Sequence, residues 1–451
     1  MVRRGDRLHL IVDRLAYGGR GVGRANGLVV FVNGAAPGDE VIARLAKVHR
    51  SYAEAETVEV VRGSSARTDP RCPHFGPCGG CAWQHIAFDA QAKAKESIVR
   101  ESLAHLGGLT GIEVRPIVRA ADAWYYRNKM EFSFHPEGTL GLHRRGDWNR
   151  LVPVETCFLQ SATSAALVNA VRDFVRTTGL APYDPRTHGG LLRGLVVREG
   201  RGTGDRLVGI VTGDGPFPAT QFVDVVRVAA ADVTGVVRGI VGGTSDSAPI
   251  TEIETLHGRP YLEEVLAGLR FRVGLETFFQ TNTAQAARMV EYVVASAQPA
   301  RDRVVIDVYC GVGTFSLPLA AAGARVVGIE LSAASIEAAR RNASLNGLPG
   351  VVFVAGDARV MLPAVVAEHG VPDVLVLDPP RAGAGGKVMR KIGRTGARRV
   401  IYVSCNPTTL APDLRELLPF GYHVVEVQPF DLFPQTYHVE TIAVLDRHQE
   451  A

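Results

Sequence analysis

Three cysteines, Cys72, Cys78 and Cys81, stand within ten positions in RCPHFGPCGGC, in a chain of 451 residues that holds six. In a reducing compartment such a cluster serves metal binding or catalysis more often than a disulfide framework. Five and then two residues separate the thiols. Three ligands leave a tetrahedral site one short, so a fourth must come from elsewhere, and the spacing admits structural zinc as well as iron. The last of the six cysteines, Cys405, follows the apolar run RRVIYVS and precedes Asn406-Pro407. It is either a buried strand-end thiol or a nucleophile. Cys310 lies in a glycine turn and reads as a small packing residue.

These groups need elements to position them. The length suggests two to four domains, and three is the working number. Hydrophobic residues at 46% and charged residues at 21% exclude a disordered chain, and no apolar run is long enough to span a bilayer. The beginning shows no secretory pattern, because His9, Asp13 and Arg14 break its apolar pieces, so a cytoplasmic location is expected. Within residues 1–50 nine basic residues face four acidic ones, a charge of +5 that suits a polyanion or a solvated surface. Residues 1–62 read as short alternating strands with glycine turns, an OB-like barrel. A helix is expected from His85 to a glycine stop at Gly107 and Gly108. Residues 63–270 form a central α+β domain, of which 112–270 is the least legible stretch. From 271 to 451, strand, glycine turn, helix and strand alternate as in a doubly wound, Rossmann-like α/β sheet.

The turn in DVYCGVGTFS carries Gly311 and Gly313, which let a ligand approach the backbone before a helix N-terminus. Glu330 ends the next strand, placed for ribose hydroxyls. Nicotinamide dehydrogenases share this arrangement. Here Ser316 replaces the third glycine, and an adenosyl sulfonium has no pyrophosphate that would require one. LDPPR sets Asp378 at the carboxyl edge of a later strand, where such sheets bind ligands.

Taken together, ETFFQTN, DVYCGVGTFSLPLA, LDPPRAG, YVSCNPTTLAPDL and FPQTYHVETIAVL resemble the S-adenosylmethionine-dependent RNA 5-methyluridine methyltransferases. CPHFGPCGGC is similar to the iron-sulfur branch of that family, and GGRGVGR with PGDE to its TRAM barrel. The resemblance implies a 4Fe-4S cluster on Cys72, Cys78, Cys81 and Cys157, with a structural role. It implies S-adenosylmethionine contacts from Gln280, Tyr309, Thr314, Glu330, Asp357 and Asp378. It also implies an RNA substrate, with ribosomal RNA of the large subunit (23S type) expected and transfer RNA the rival. A monomer with no membrane partner is expected. A nicotinamide-dependent iron-sulfur oxidoreductase and a silent RNA-binding protein are the competing classes.

Carbon 5 of uracil is a poor nucleophile, so a catalyst must first add a nucleophile at carbon 6. The resemblance gives that role to Cys405. An ordinary thiol is about 3% ionised at pH 7, and reaching neutrality asks for roughly 2 kcal/mol, which helix dipoles and donors are expected to supply. A base must then remove the carbon-5 proton. The resemblance selects Glu440, with His438 a chemical competitor. YYRNKMEF, with Arg127 and Lys129, is a candidate RNA strip or a half-buried strand.

Overall fold

The computed structural model describes residues 2–137, 139–245 and 248–448, and the chain divides into two compact units. The first comprises Met1–Gly76, Cys81–Ala123 and Asp378–Ala451; the second comprises Pro77–Gly80 and Trp124–Leu377.

The first unit opens with β1 (Arg7–Leu15), β2 (Gly21–Ala25), β3 (Leu28–Asn33), β4 (Glu40–Val48) and β5 (Tyr52–Arg62). They close a barrel in the order β1-β2-β3-β5-β4, as the alternation in the sequence anticipates. Alternate residues point inward, so Leu10 and Val12, Val30 and Val32, Val41, Ala43 and Leu45, Ala53 and Ala55 make one core. The interior is narrow. A Cβ at Gly23 would sit 2.4 Å from the Ile11 carbonyl oxygen, so only glycine lets β1 and β2 approach. Buried Asp39 joins the barrel to the following chain, accepting from Ala36 N at 2.8 Å, Ser64 N at 2.9 Å and Arg67 Nε at 3.0 Å. Burial opposes its ionisation, yet the Arg67 guanidinium and these amides hold its carboxyl below the usual range.

The helix Phe88–Gly107 ends on Gly108 at φ 64°, matching the expected stop. Its buried face carries two polar residues that hold the loop before the last strand. Gln91 Oε1 accepts from Gln435 N at 2.9 Å, and Lys95 Nζ donates to Asp431 Oδ1 at 2.5 Å and Phe433 O at 3.0 Å. Lys95 and Asp431 are both fully buried. Burial pushes the Lys95 ammonium below its usual pKa, and the Asp431 carboxylate works against that shift. Asp431→Ala leaves a cation without its counter-ion, so we expect a loss of about 3–5 kcal/mol, measured by urea unfolding.

Three strands complete this unit. Glu440–Arg447 lies between Arg399–Ser404 and Tyr422–Phe430, antiparallel to both, with Ser404 opposite Thr441 and Phe430 opposite Glu440. This register sets the start of one strand beside the end of its neighbour.

The second unit contains a seven-stranded sheet in the order Ile250–Gly258, Gly235–Val241, Arg206–Thr212, Leu192–Glu199, Lys129–Phe134, Leu140–Arg144, Asp147–Pro153. Helices Ala162–Thr178 and Ala219–Ala229 pack on it through Leu167, Val171, Phe174, Phe222 and Val226. The same unit holds parallel strands Val304–Val308, Arg325–Glu330, Val352–Ala355 and Val374–Leu377. From Val304–Val308 the chain steps outward twice, then returns to that strand's other side. That reversal is where doubly wound sheets bind ligands. Among the described residues no helix is long and apolar enough to cross a membrane.

Candidate active site

Cys405 follows the strand Arg399–Ser404 and precedes Asn406, which caps the helix Pro407–Arg415 by accepting from Thr408 N at 3.0 Å. The sharp exit is fixed by Ser404, whose Oγ accepts from Asn406 N at 3.1 Å. Asn406 Nδ2 donates to the Arg381 carbonyl at 3.1 Å, tying the Pro-Pro loop to the cysteine turn. Beyond Arg381, Ala384 N donates to Asp413 Oδ2 at 2.8 Å, and Tyr402 donates to the same oxygen at 2.6 Å. Glu440 starts the adjacent strand and is only 3% exposed.

The electrostatics depart from the expectation for the thiol. Burial pushes Cys405 up to about 12, the Glu440 and Asp378 carboxylates add to that, and Arg381 works against it. Desolvation and the two neighbouring carboxyl groups thus oppose ionisation of the thiol. Glu440 is raised to about 8 by burial and by Asp378. Asp378 is thus a neighbour of both Cys405 and Glu440. His438 is less suited to take a proton, because its Nε2 accepts from Arg381 Nη2 at 3.0 Å.

Two members of this cluster were not singled out from the sequence. Arg381 ends LDPPR, 24 positions before Cys405, so its place beside the thiol has no signal in the sequence. Tyr17 sits on the barrel turn between β1 and β2, and no local pattern marks it. Its ring meets Tyr437 edge-on at 5.4 Å, Tyr437 lies 4.2 Å from the His438 ring, and Trp83 Nε1 holds the turn through Gly19 O at 3.0 Å. Burial raises the Tyr17 phenol to about 12, with Arg381 opposing and Cys405, Tyr437 and Glu440 adding to the rise.

The second unit carries the glycine turn. Tyr309 adopts φ 67° at the end of its strand, followed by Gly311 at 55° and Gly313 at 91°. A left-handed tyrosine is uncommon and marks a constrained turn. Glu330 spans it, accepting from Gly311 N at 3.2 Å and Ser332 N at 2.9 Å. Ser316, in place of the third glycine, donates to Asp307 Oδ2 at 2.5 Å, and burial raises Asp307 to about 7. Asp307, not singled out from the sequence, thereby positions the turn. Thr314 is buried within it. Asp357 caps the helix Ala358–His369, and hydrogen bonds from Arg359 lower it to about 2. Gln280 is buried, its carbonyl accepting from Asn128 Nδ2 at 2.8 Å. Cys310 is buried, and burial pushes its thiol well up, as a packing residue requires.

The cysteine loop does not meet its expectation. Cys72 and Cys81 belong to the first unit, Cys78 and Cys157 to the second, and among the described residues no group of three or more His, Cys, Asp or Glu could hold a metal ion. The loop is organised by ordinary hydrogen bonds. Cys72 N donates to Gln84 Oε1 at 3.0 Å in one unit, and Gly79 N to His143 O at 2.9 Å in the other. The expected 4Fe-4S cluster is therefore not supported among the described residues. Lys129 lies on a partly buried strand and pairs with Glu131, which fits the half-buried strand better than an RNA strip.

Comparison with known proteins extends this geometry. Residues 258–448 match the family model for tRNA (uracil-5-)-methyltransferases, and residues 2–58 match the TRAM domain. A protein of Gloeobacter violaceus named as an uncharacterized RNA methyltransferase is 39% identical, covering 98% of this chain and 97% of its own. One of the same description from Nitratidesulfovibrio vulgaris is also 39% identical, over 99% and 97%. The crystal structure of the Pyrococcus abyssi tRNA (uracil-54, C5)-methyltransferase with S-adenosyl-L-homocysteine is similar at a TM-score of 0.77 and 27% identity, covering 97% of this chain and 100% of that one. The fold is thus mixed α/β, a closed N-terminal barrel with a Rossmann-like methyltransferase fold. With relatives this similar along nearly its whole length, the chain belongs to the RNA uracil-5-methyltransferase family that carries a TRAM domain.

Proposed function

We propose that this chain methylates carbon 5 of one uridine in a folded RNA through a covalent bond between Cys405 Sγ and carbon 6 of the base. The observation that carries the proposal is the strand register that sets Cys405 beside Glu440, with Arg381 and Asp378 on the neighbouring loop. The thiol gives its proton to solvent as sulfur adds to carbon 6, and the ring becomes an enolate whose negative charge the Arg381 guanidinium can stabilise and whose carbon 5 takes the methyl group. S-adenosylmethionine, when bound, supplies the electrophilic methyl group. In this reading Tyr309, Thr314, Glu330 and Asp357 serve its adenosine side, and the family resemblance adds Gln280 and Asp378 to the residues that serve the cofactor. Glu440 then takes the carbon-5 proton, the electron pair re-forms the ring double bond, and Cys405 leaves as thiolate. A base buried in an RNA helix must be extruded first, which costs a few kcal/mol and less in a loop.

Ribosomal RNA is the target we infer, from the resemblance of the cysteine loop and barrel. Transfer RNA is a second reading, favoured by the similarity to the Pyrococcus tRNA (uracil-54, C5)-methyltransferase. Incubation with labelled methyl donor and separate ribosomal and transfer RNA pools, followed by mapping of the labelled base, tests both. Label in 5-methyluridine of the ribosomal pool is expected; label in neither pool overturns the function.

Glu440 sets a pH dependence. Its carboxyl holds its proton up to about 8, so below that the base is mostly neutral. The step that removes the carbon-5 proton should slow about tenfold per pH unit below this value and level off above it. Single-turnover decay of the covalent adduct measures that step, and a flat profile would exclude Glu440 as the base.

A further inference from the structure

The hairpin formed by Leu140–Arg144 and Asp147–Pro153 turns through Gly146 at φ 73° and presents Trp148, which is 70% exposed. An exposed indole is ordinarily held loosely. This one is fixed. The His143 imidazole lies flat against it at 3.7 Å and 8°. His143 Nδ1 donates to Trp148 O at 2.8 Å, which leaves Nε2 to accept from Ser133 Oγ at 3.1 Å and so sets the tautomer. His135 Nε2 donates to Asn149 O at 3.0 Å. Beneath the tip, Gly79 N donates to His143 O at 2.9 Å and Arg145 N to Pro77 O at 2.9 Å. One face of the indole is covered by imidazole, and the rest is presented to solvent in a held orientation.

The neighbours on the tip are cationic. Arg144, Arg145 and Arg150 are exposed, and Asp147 is the acidic residue among them, 3.6 Å from Arg150 in a solvent-screened pair. Leu142, Leu151 and Val152 are not exposed. A docking face for a protein would show aliphatic surface around the aromatic ring. A flat π face among guanidinium groups matches an unpaired base flanked by phosphates, since stacking tolerates any base and arginines neutralise the backbone.

We propose that this hairpin is an RNA-binding element in which Trp148 stacks on an unpaired base of the substrate while Arg144, Arg145 and Arg150 hold the adjoining phosphates. The proposal deepens the RNA methylation reading and rests on it. Because the ring is already fixed, stacking costs little ordering entropy.

The test uses the full chain and its Trp148→Ala, Trp148→Phe and Arg144→Gln/Arg150→Gln variants. Binding is titrated with a single-stranded oligoribonucleotide and with ribosomal and transfer RNA pools, and methyl transfer is measured in parallel. Trp148→Ala should raise Kd for RNA by about 5- to 150-fold and raise KM with kcat little changed, while Trp148→Phe stays within about threefold of the parent. RNA should quench parental tryptophan fluorescence, and Trp148→Phe should remove that response. The double arginine variant should reduce the slope of log K against log salt by about 1 to 2. A Kd for Trp148→Ala within about twofold of the parent overturns the proposal and leaves the hairpin to a protein partner. If the parent methylates neither pool, the methylation reading falls, and the hairpin is still judged by the binding titration.

Discussion

Cys405→Ser is expected to reduce methyl transfer to RNA by on the order of 10⁴-fold or more, because a serine hydroxyl is a far weaker acid and its anion would form in a site that already resists negative charge. Burial and two carboxylates hold the native thiol up to about 12, so the site has little anion stabilisation to spare for an alkoxide. Cys405 is half-buried at a strand end and serine is close to it in size, so folding should survive. The measurement is labelled methyl incorporation into RNA under single-turnover conditions, with the melting temperature as control. A serine variant working at the parental rate would remove the covalent mechanism and the roles assigned around it.

Glu440→Gln is expected to stop the reaction one step later. Sulfur addition and methyl transfer need no base at position 440, but loss of the carbon-5 proton does. Turnover should fall by about 10²- to 10⁴-fold while a protein-RNA adduct builds up that survives denaturing electrophoresis. Cys405→Ala should form none, and equal adduct in both variants refutes the assignment. A stability effect accompanies this. The buried carboxyl keeps its proton from 4.5 up to about 8 in the folded state, whereas the unfolded chain releases it, so folded stability declines as pH rises through that window. Glutamine carries no proton to lose, and the variant should escape that part of the decline in urea titrations at increasing pH.

The parts of this molecule that were legible share a physical trait: their sequence pattern is local. A half-buried barrel strand repeats every two residues, and β1 shows it as Leu10 and Val12 inward between exposed neighbours. The fully buried parallel strand Val374–Leu377 appears as an unbroken apolar run before a proline turn, and Val304–Val308 as one interrupted only by Asp307 before a glycine turn. The central sheet lacks that clarity. Arg198 and Arg238 are 2% and 6% exposed on its strands, so two charges that look solvent-facing in a sequence are buried. They are held by non-local partners, Arg198 by the Thr277 carbonyl and Arg238 by Thr212 Oγ1. The cysteine loop is a different case: close spacing in the chain suggests a common metal, but among the described residues no metal-holding group supports it.

The order of residues alone determined where most elements form and where the glycine turn and the Pro-Pro loop fall, while the family resemblance singled out one thiol and one carboxylate as candidates. Tertiary structure alone decided that Ser404 lies opposite Thr441, so that positions 405 and 440 meet, that a barrel tyrosine reaches the same cluster, and that burial favours the protonated forms of Cys405 and Glu440. The reason is that turn and helix preferences act over a few neighbouring residues, whereas strand register and desolvation depend on everything packed around a side chain, however distant in the chain.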